Sequence, residues 1–228
     1  MLRTWPLVGA TTLLALLAIA CGGNGEGTPS AQDEAQPTEQ TPAASPSLEP
    51  TPMTYAERPE LTIDPEKKYT AIIETEKGTF RIQLRPDLAI QTVNSFIFLA
   101  REGYYDGVTF HRVIRDDPSK PDFMAQGGDP TGTGSGGPGY TLPAEFSDTP
   151  YVRGTVGMAR TADPDSGGSQ FFITYNDQYQ PALNGQYTVF GEITEGIEVV
   201  ESLTPRDPAT DPSAPPGDAI ISIEIVEG

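Results

Sequence analysis

From Tyr69 onward, apolar and polar residues follow one another with periods that predict regular structure, and the residues before it do not. Phe80, Ile82 and Leu84 alternate with Thr79, Arg81 and Gln83, the two-residue period of a strand with one buried face. Residues 70–75 read as its partner, joined to it through Glu76-Lys77-Gly78, which suits a hairpin turn. Ala89, Val93, Phe96, Ile97 and Ala100 recur at helical spacing, with Pro86 before the run and Gly103 after it. Residues 108–114, 155–160, 170–174 and 188–192 read as further strands, and 196–203 as a short second helix. Ile221, Ile223 and Ile225 mark the last strand. Many short strands, Gly-rich turns and two helices predict a mainly β fold, either a closed antiparallel barrel or a sandwich.

The first third has another character. Met1 to Arg3 begin it with a positive charge, and an almost wholly apolar run from Trp5 ends in Ala18-Ile19-Ala20 before Cys21. The run is short for a membrane span and has the proportions of a signal-peptide core. Cys21 is the only cysteine, so no intrachain disulfide can form. The small residues before it resemble the lipobox of bacterial lipoproteins, with Ala18 where that motif prefers Leu. The resemblance implies a lipid such as palmitate on Cys21 and a domain held at the cell membrane, outside the cytoplasm. An ordinary secretory signal or an uncleaved anchor is the alternative. From Gly22 to about Glu60 the chain is Gly, Ser, Thr, Pro, Gln and Glu with few large apolar residues, so little offsets the cost of ordering it. The expected organisation is a signal peptide over 1–20, a lipid-anchored disordered linker over 21–66 and one folded domain over 67–228.

Acidic residues outnumber basic ones by 32 to 14, giving a formal charge of -18. Such a surface repels phosphate backbones and argues against nucleic-acid binding. Gly132, Gly134 and Gly137 fit GxGxxG, but Pro138 and Gly139 follow, so no helix opens to receive a phosphate and a flexible turn is expected. Asp163, Asp165 and Gly168 imitate the start of a calcium loop, yet Thr174 stands where its final Glu is required. His111 is the only histidine, which excludes a His-cluster metal site and makes a satisfied structural histidine the expected role.

Two stretches stand apart. Phe110-His111-Arg112-Val113-Ile114 is followed by Phe123-Met124-Ala125-Gln126-Gly127-Gly128-Asp129, and later Met158-Ala159-Arg160-Thr161 by Gly168-Ser169-Gln170-Phe171-Phe172-Ile173. Alternation puts Arg112 on one face with Phe110 and Ile114, and Gln170 on one face with Phe172. A guanidinium, two amides and several bulky apolar groups can bind an apolar ring and hydrogen-bond a carbonyl. They offer no nucleophile, acid–base pair or metal set.

Six segments, FHRVI, FMAQGGD, GTGSGGPGY, GMARTADPDS, SQFFI and YTVFGEI, occur in this order and resemble the cyclophilin-type peptidyl-prolyl cis-trans isomerases of bacteria. The resemblance runs from about Tyr69 to Gly228. It implies a closed eight-stranded antiparallel barrel capped by two α-helices. By the same resemblance Arg112 is catalytic, Phe123, Met124, Phe172 and Leu183 hold the proline, and Gln126 positions the substrate backbone. Ala159, Arg160 and Gln170 line the adjoining groove. Tyr187 replaces a histidine of eukaryotic members and retains a hydrogen-bond donor. Ala182 replaces the tryptophan that supports cyclosporin binding, and 115–122 is longer than the eukaryotic connection. The implied activity needs no cofactor and no metal. The implied partners are Pro-containing segments of exported proteins, met by a monomer that assists their folding. A tethered binding module without catalysis is the rival reading, and a hydrolase built on His111 a remote third.

Overall fold

The computed structural model describes residues 53–116 and 121–228. The expected signal peptide, Cys21 and the linker up to residue 52 lie outside the described residues.

β1 (Tyr69–Thr75) and β2 (Gly78–Leu84) form the expected hairpin. α1 (Ile90–Arg101) follows, one residue later at each end than its periodicity suggests. Then come β3 (Arg112–Ile114), β4 (Met124–Gly127), β5 (Thr155–Met158), β6 (Phe171–Thr174), α2 (Gln180–Leu183), β7 (Val189–Glu195), α3 (Ile197–Glu201) and β8 (Ile220–Glu227). There are three helices among the described residues rather than two, the additional one being the single turn α2. The strands make one antiparallel sheet in the order β3-β4-β6-β5-β7-β2-β1-β8.

The sheet curls until its edges approach, but it is a curled half-barrel rather than a fully closed barrel. Residues 108–110, expected as strand, leave the β3 ladder, and Gly107 and Phe110 instead donate N–H groups to Ile220 O (2.8 Å) and Asp218 O (3.0 Å). Ile220 N–H returns a bond to Val108 O at 2.9 Å. The outer edge of β3 is covered by the connection between α3 and β8: Val113 and Arg206 exchange backbone hydrogen bonds of 2.6 and 2.9 Å. An exposed three-residue edge is thereby denied to other chains.

Ala71, Ile73, Phe80, Ile82, Val156, Phe171, Ile173 and Phe190 point inward and are fully buried. α1 adds Val93, Phe96 and Ile97 to the same core, where Phe96 meets Phe171 edge-on at 5.7 Å. No side chain at the start of α1 caps it. Glu145, more than fifty positions away, accepts from the N–H groups of Gln91 (3.0 Å) and Thr92 (2.9 Å) and supplies the missing acceptor.

Residues 53–66, which composition assigns to the linker, form no strand or helix yet pack on this domain as a strap. Tyr55 donates its N–H to Pro138 O at 2.8 Å and sets its ring edge-on to Phe98 at 5.0 Å. Thr62 N–H donates to Asn94 Oδ1 at 3.0 Å, and Ile63 is buried in the core. The strap passes so close to Gly139 that a Cβ there would lie 2.6 Å from Tyr55 O, at a φ of +93° that already disfavours any other residue.

Candidate active site

Strand register builds one row of residues across the outer face of the sheet. Arg112 on β3 pairs with Gln126 on β4, Gln126 with Phe172 on β6, and Phe172 with Gly157 on β5. Residues two apart on a strand share a face, so Ile114 and Met124 extend this row, while Val113, Ala125, Phe171 and Ile173 turn into the core. Around the row Ile114, Met124, Tyr151, Phe172, Leu183 and Val189 make a second apolar cluster, separate from the main core.

Arg112, Phe123, Met124, Gln126, Ala159, Arg160, Phe172, Leu183 and Tyr187 together line a pocket of about 140 Å³. Gln170 does not line it. It borders an adjoining groove of about 600 Å³, walled by residues 134–141 and sharing Gln126, Ala159 and Arg160 with the pocket. Gln126 Nε2 donates to Gln170 Oε1 and Gln170 Nε2 to Gly136 O, both at 2.9 Å. This relay fixes the Gln126 amide and leaves its oxygen as an acceptor for a ligand N–H.

The Phe172 ring forms the floor. It stacks on buried Tyr151 at 5.6 Å and meets Tyr187 edge-on at 5.6 Å. Gly157 makes room for it, since a Cβ there would lie 2.6 Å from Phe172 Cζ and press on Tyr151 Oη. Tyr151 donates its hydroxyl to Thr188 O at 3.3 Å, and burial pushes its pKa well above the ordinary phenol value. Arg160 lies 4.6 Å over the Tyr187 ring and donates from Nε to Gln186 O at 2.8 Å. Phe123 packs its ring 4.2 Å from Tyr179. The Arg112 guanidinium is half-exposed, and its Nε lies 3.5 Å from Asp207 Oδ1.

Several expectations change here. Phe110 does not share the face of Arg112; it packs inside against Phe171 at 6.0 Å, because the chain leaves strand geometry at His111. His111 is buried as expected but not satisfied, since neither ring nitrogen has a hydrogen-bond partner. Without a serine bonded to that ring there is no base for the hydrolase reading among the described residues. The GxGxxG segment is a pinned turn rather than a free one. Asp129, buried beneath it, accepts from the N–H groups of Thr131 (2.7 Å), Gly134 (2.6 Å) and Gly136 (3.1 Å). The carboxylates of the calcium-loop imitation are engaged elsewhere, Asp163 accepting from Asp165 N–H at 3.0 Å within the turn and Asp165 from Ala144 N–H at 2.8 Å, 21 positions away. Tyr151, Tyr179 and Asp207 escape sequence reasoning. They reach the site from loops and from α2's approach, and no spacing in the chain signals them.

Residues 70–225 match the family model described as cyclophilin type peptidyl-prolyl cis-trans isomerase/CLD. A peptidyl-prolyl cis-trans isomerase of Synechococcus elongatus is 48% identical over 158 residues, covering 68% of this chain and 95% of its own length. Peptidyl-prolyl cis-trans isomerase B of Bacillus subtilis is 48% identical over 127 residues, covering 55% and 82%. Among solved structures, a Cryptosporidium parvum cyclophilin type isomerase is similar with a TM-score of 0.60 and 32% identity, over 71% of this chain and 99% of that one. The crystal structure of that protein in the presence of the dipeptide Ala-Pro matches with a TM-score of 0.59 and 33% identity, over 70% and 99%.

Proposed function

The chain belongs to the cyclophilin-type peptidyl-prolyl cis-trans isomerases, and we propose that it acts outside the cytoplasm, lipid-anchored at Cys21, on Pro-containing segments of exported proteins. Its reaction is rotation about X-Pro peptide bonds. We assign catalysis to Arg112 and proline binding to Phe123, Met124, Phe172 and Leu183. The observation that carries this assignment is the row Arg112–Gln126–Phe172 along one small pocket, where a guanidinium and an amide stand beside the apolar Phe123, Met124, Phe172 and Leu183.

Amide resonance sets a barrier of about 18–20 kcal/mol to this rotation, so unassisted X-Pro bonds interconvert over roughly 10–100 s. No covalent bond need form or break. As the amide twists, conjugation is lost and the prolyl nitrogen regains a lone pair that accepts a hydrogen bond. The Arg112 guanidinium at the pocket mouth donates that bond. It is made in the twisted state and not in the planar one, which is the condition for lowering a barrier rather than merely binding. Phe172, Met124 and Leu183 hold the ring in every state, and Gln126, fixed by its relay to Gln170, holds the adjoining backbone so that rotation is confined to one bond.

A protease-coupled assay on one short X-Pro peptide tests the proposal. Arg112→Ala is expected to lower kcat about 10²–10³-fold, as deletion of one oxyanion-hole donor does, with KM nearly unchanged. Arg112→Lys is expected to restore only part, because a point-like ammonium lacks the planar fork. A folded Arg112→Ala protein with near-normal kcat refutes the assignment, and an unmutated chain that binds the peptide without accelerating its isomerisation establishes the rival binding module.

A further inference from the structure

We infer that Asp207 is a positioning residue for Arg112, holding one edge of the guanidinium so that the other edge is presented to the prolyl nitrogen. The inference rests on Arg112 being the catalytic group.

The connection between α3 and β8 crosses the outer edge of β3, and its Arg206 exchanges backbone hydrogen bonds with Val113. In an antiparallel pairing the residue after one partner lies across from the residue before the other. Asp207 is therefore set beside Arg112 and on its face, and the ion pair between Nε and Oδ1 at 3.5 Å is the consequence. At that length the contact is an electrostatic restraint rather than a short hydrogen bond. It falls on Nε, so the two Nη groups remain available to the pocket. Among the described residues Asp207 is the only ion-pair partner of Arg112.

The carboxylate is itself held. Its Oδ1 accepts from Ala209 N–H at 3.2 Å, and its backbone carbonyl accepts from the N–H groups of Thr210 (3.0 Å) and Asp211 (2.9 Å). Arg206 ties the same turn down on both sides, donating from Nε to Pro215 O at 2.6 Å and from Nη1 to His111 O. The Asp207 side chain is only 15% exposed, against 38% for Arg112. A long, half-exposed arginine carries much rotamer freedom, and here a mostly buried, backbone-anchored charge limits it. An ordinary exposed ion pair lacks that anchorage.

The test uses the full chain and one X-Pro peptide. Asp207→Ala is expected to lower kcat about tenfold, less than the roughly 10²-fold that a 1 Å misplacement can cost, with KM within twofold of the original. Asp207→Glu keeps the charge and is expected to recover kcat to within about threefold, whereas Asp207→Asn keeps the bond to Ala209 but not the charge and is expected to behave like Asp207→Ala. In an Arg112→Ala background, Asp207→Ala should lower kcat no further, because there is no guanidinium left to orient. Unchanged kcat in Asp207→Ala, an Asp207→Glu protein no better than Asp207→Ala, or an additive loss in the double variant overturns the inference. If Arg112→Ala alone leaves kcat intact, it is the underlying assignment of Arg112 that fails, whatever the Asp207 variants do.

Discussion

Single residues decide whether the pocket exists. Gly157 has no side chain because Phe172 occupies the space where one would go. Gly157→Ala is expected to push the Phe172 ring off Tyr151, destabilising the fold by about 1–3 kcal/mol as overpacking does and lowering kcat/KM roughly tenfold, measured by thermal unfolding and by the coupled assay. Two other buried groups contribute to the response to acid. Burial lowers the pKa of His111, with the charge of Asp129 opposing and those of Arg206 and Arg112 reinforcing the shift. Burial alone would raise the pKa of Asp129, but the Thr131 hydroxyl and the N–H groups of Thr131, Gly136 and Gly134 outweigh it and hold the carboxyl below its ordinary value. Both groups bind protons less readily folded than unfolded, so each contributes stability that is lost as pH falls. The His111 contribution is complete above about pH 6.5 and that of Asp129 above about pH 3.9. The Tm is expected to be flat from about pH 7 to about pH 9, to fall above about pH 10 as unfolding lets the buried phenols ionise, and to fall in two stages below neutrality. His111→Met should remove the upper stage and Asp129→Asn reduce the lower one, to which Asp87 and Glu227 also contribute, the latter variant also costing about 1–3 kcal/mol through its misplaced amide donors. A Tm that declines identically in all three proteins would assign the acid response to other groups.

At the scale of elements, legibility followed burial. β2 is readable because Phe80, Ile82 and Leu84 on one face are buried while Thr79, Arg81 and Gln83 on the other stay partly or fully open to solvent, which is the condition that prints a two-residue period on the chain. β4 was not. Its inward residues are the small Ala125 and Gly127, and its outward ones are Met124 and Gln126, kept for the pocket, so the usual contrast is reversed. α2 is a single turn too short to show a helical period. The pocket residues were found through motif resemblance, and only strand register explains why they meet. The strap leaves no period for a related reason: its attachment rests on Tyr55 and Ile63 at isolated positions, without any repeat. Tyr55→Ala is expected to cost about 1–2 kcal/mol through the lost aromatic contacts with Phe98 and Tyr140. Because the ring anchors the backbone whose N–H donates to Pro138 O, amide exchange should quicken over residues 134–140, the wall of the groove, while β1 and β8 keep their protection. Equal exchange throughout would show that the strap does not support that wall.

Taken whole, the molecule is an acidic domain whose proposed attachment lies at the far end of its N-terminal segment. A single acyl chain binds a bilayer only marginally, so stable attachment through Cys21 requires at least two. Cys21→Ser is expected to release the protein from membranes or leave it unprocessed, as fractionation and mass spectrometry of the membrane form would reveal. An unmodified Cys21 in that form would refute the anchor. One feature of the sheet has a bearing on biogenesis. β1 and β8, the first and last strands, are zipped together from Tyr69↔Glu227 to Thr75↔Ile220, and the entry to β8 also fastens residues 107–110. A polypeptide elongating from its N-terminus can make the β1–β2 hairpin early, but β1 then waits with one edge unpaired until β8 has been synthesised. Such long-range pairing slows folding and prolongs exposure to aggregation. A prolyl isomerase built on this sheet must therefore pass through its own interval as an unfinished, sticky chain, its N-terminal strand half-paired until the partner strand arrives.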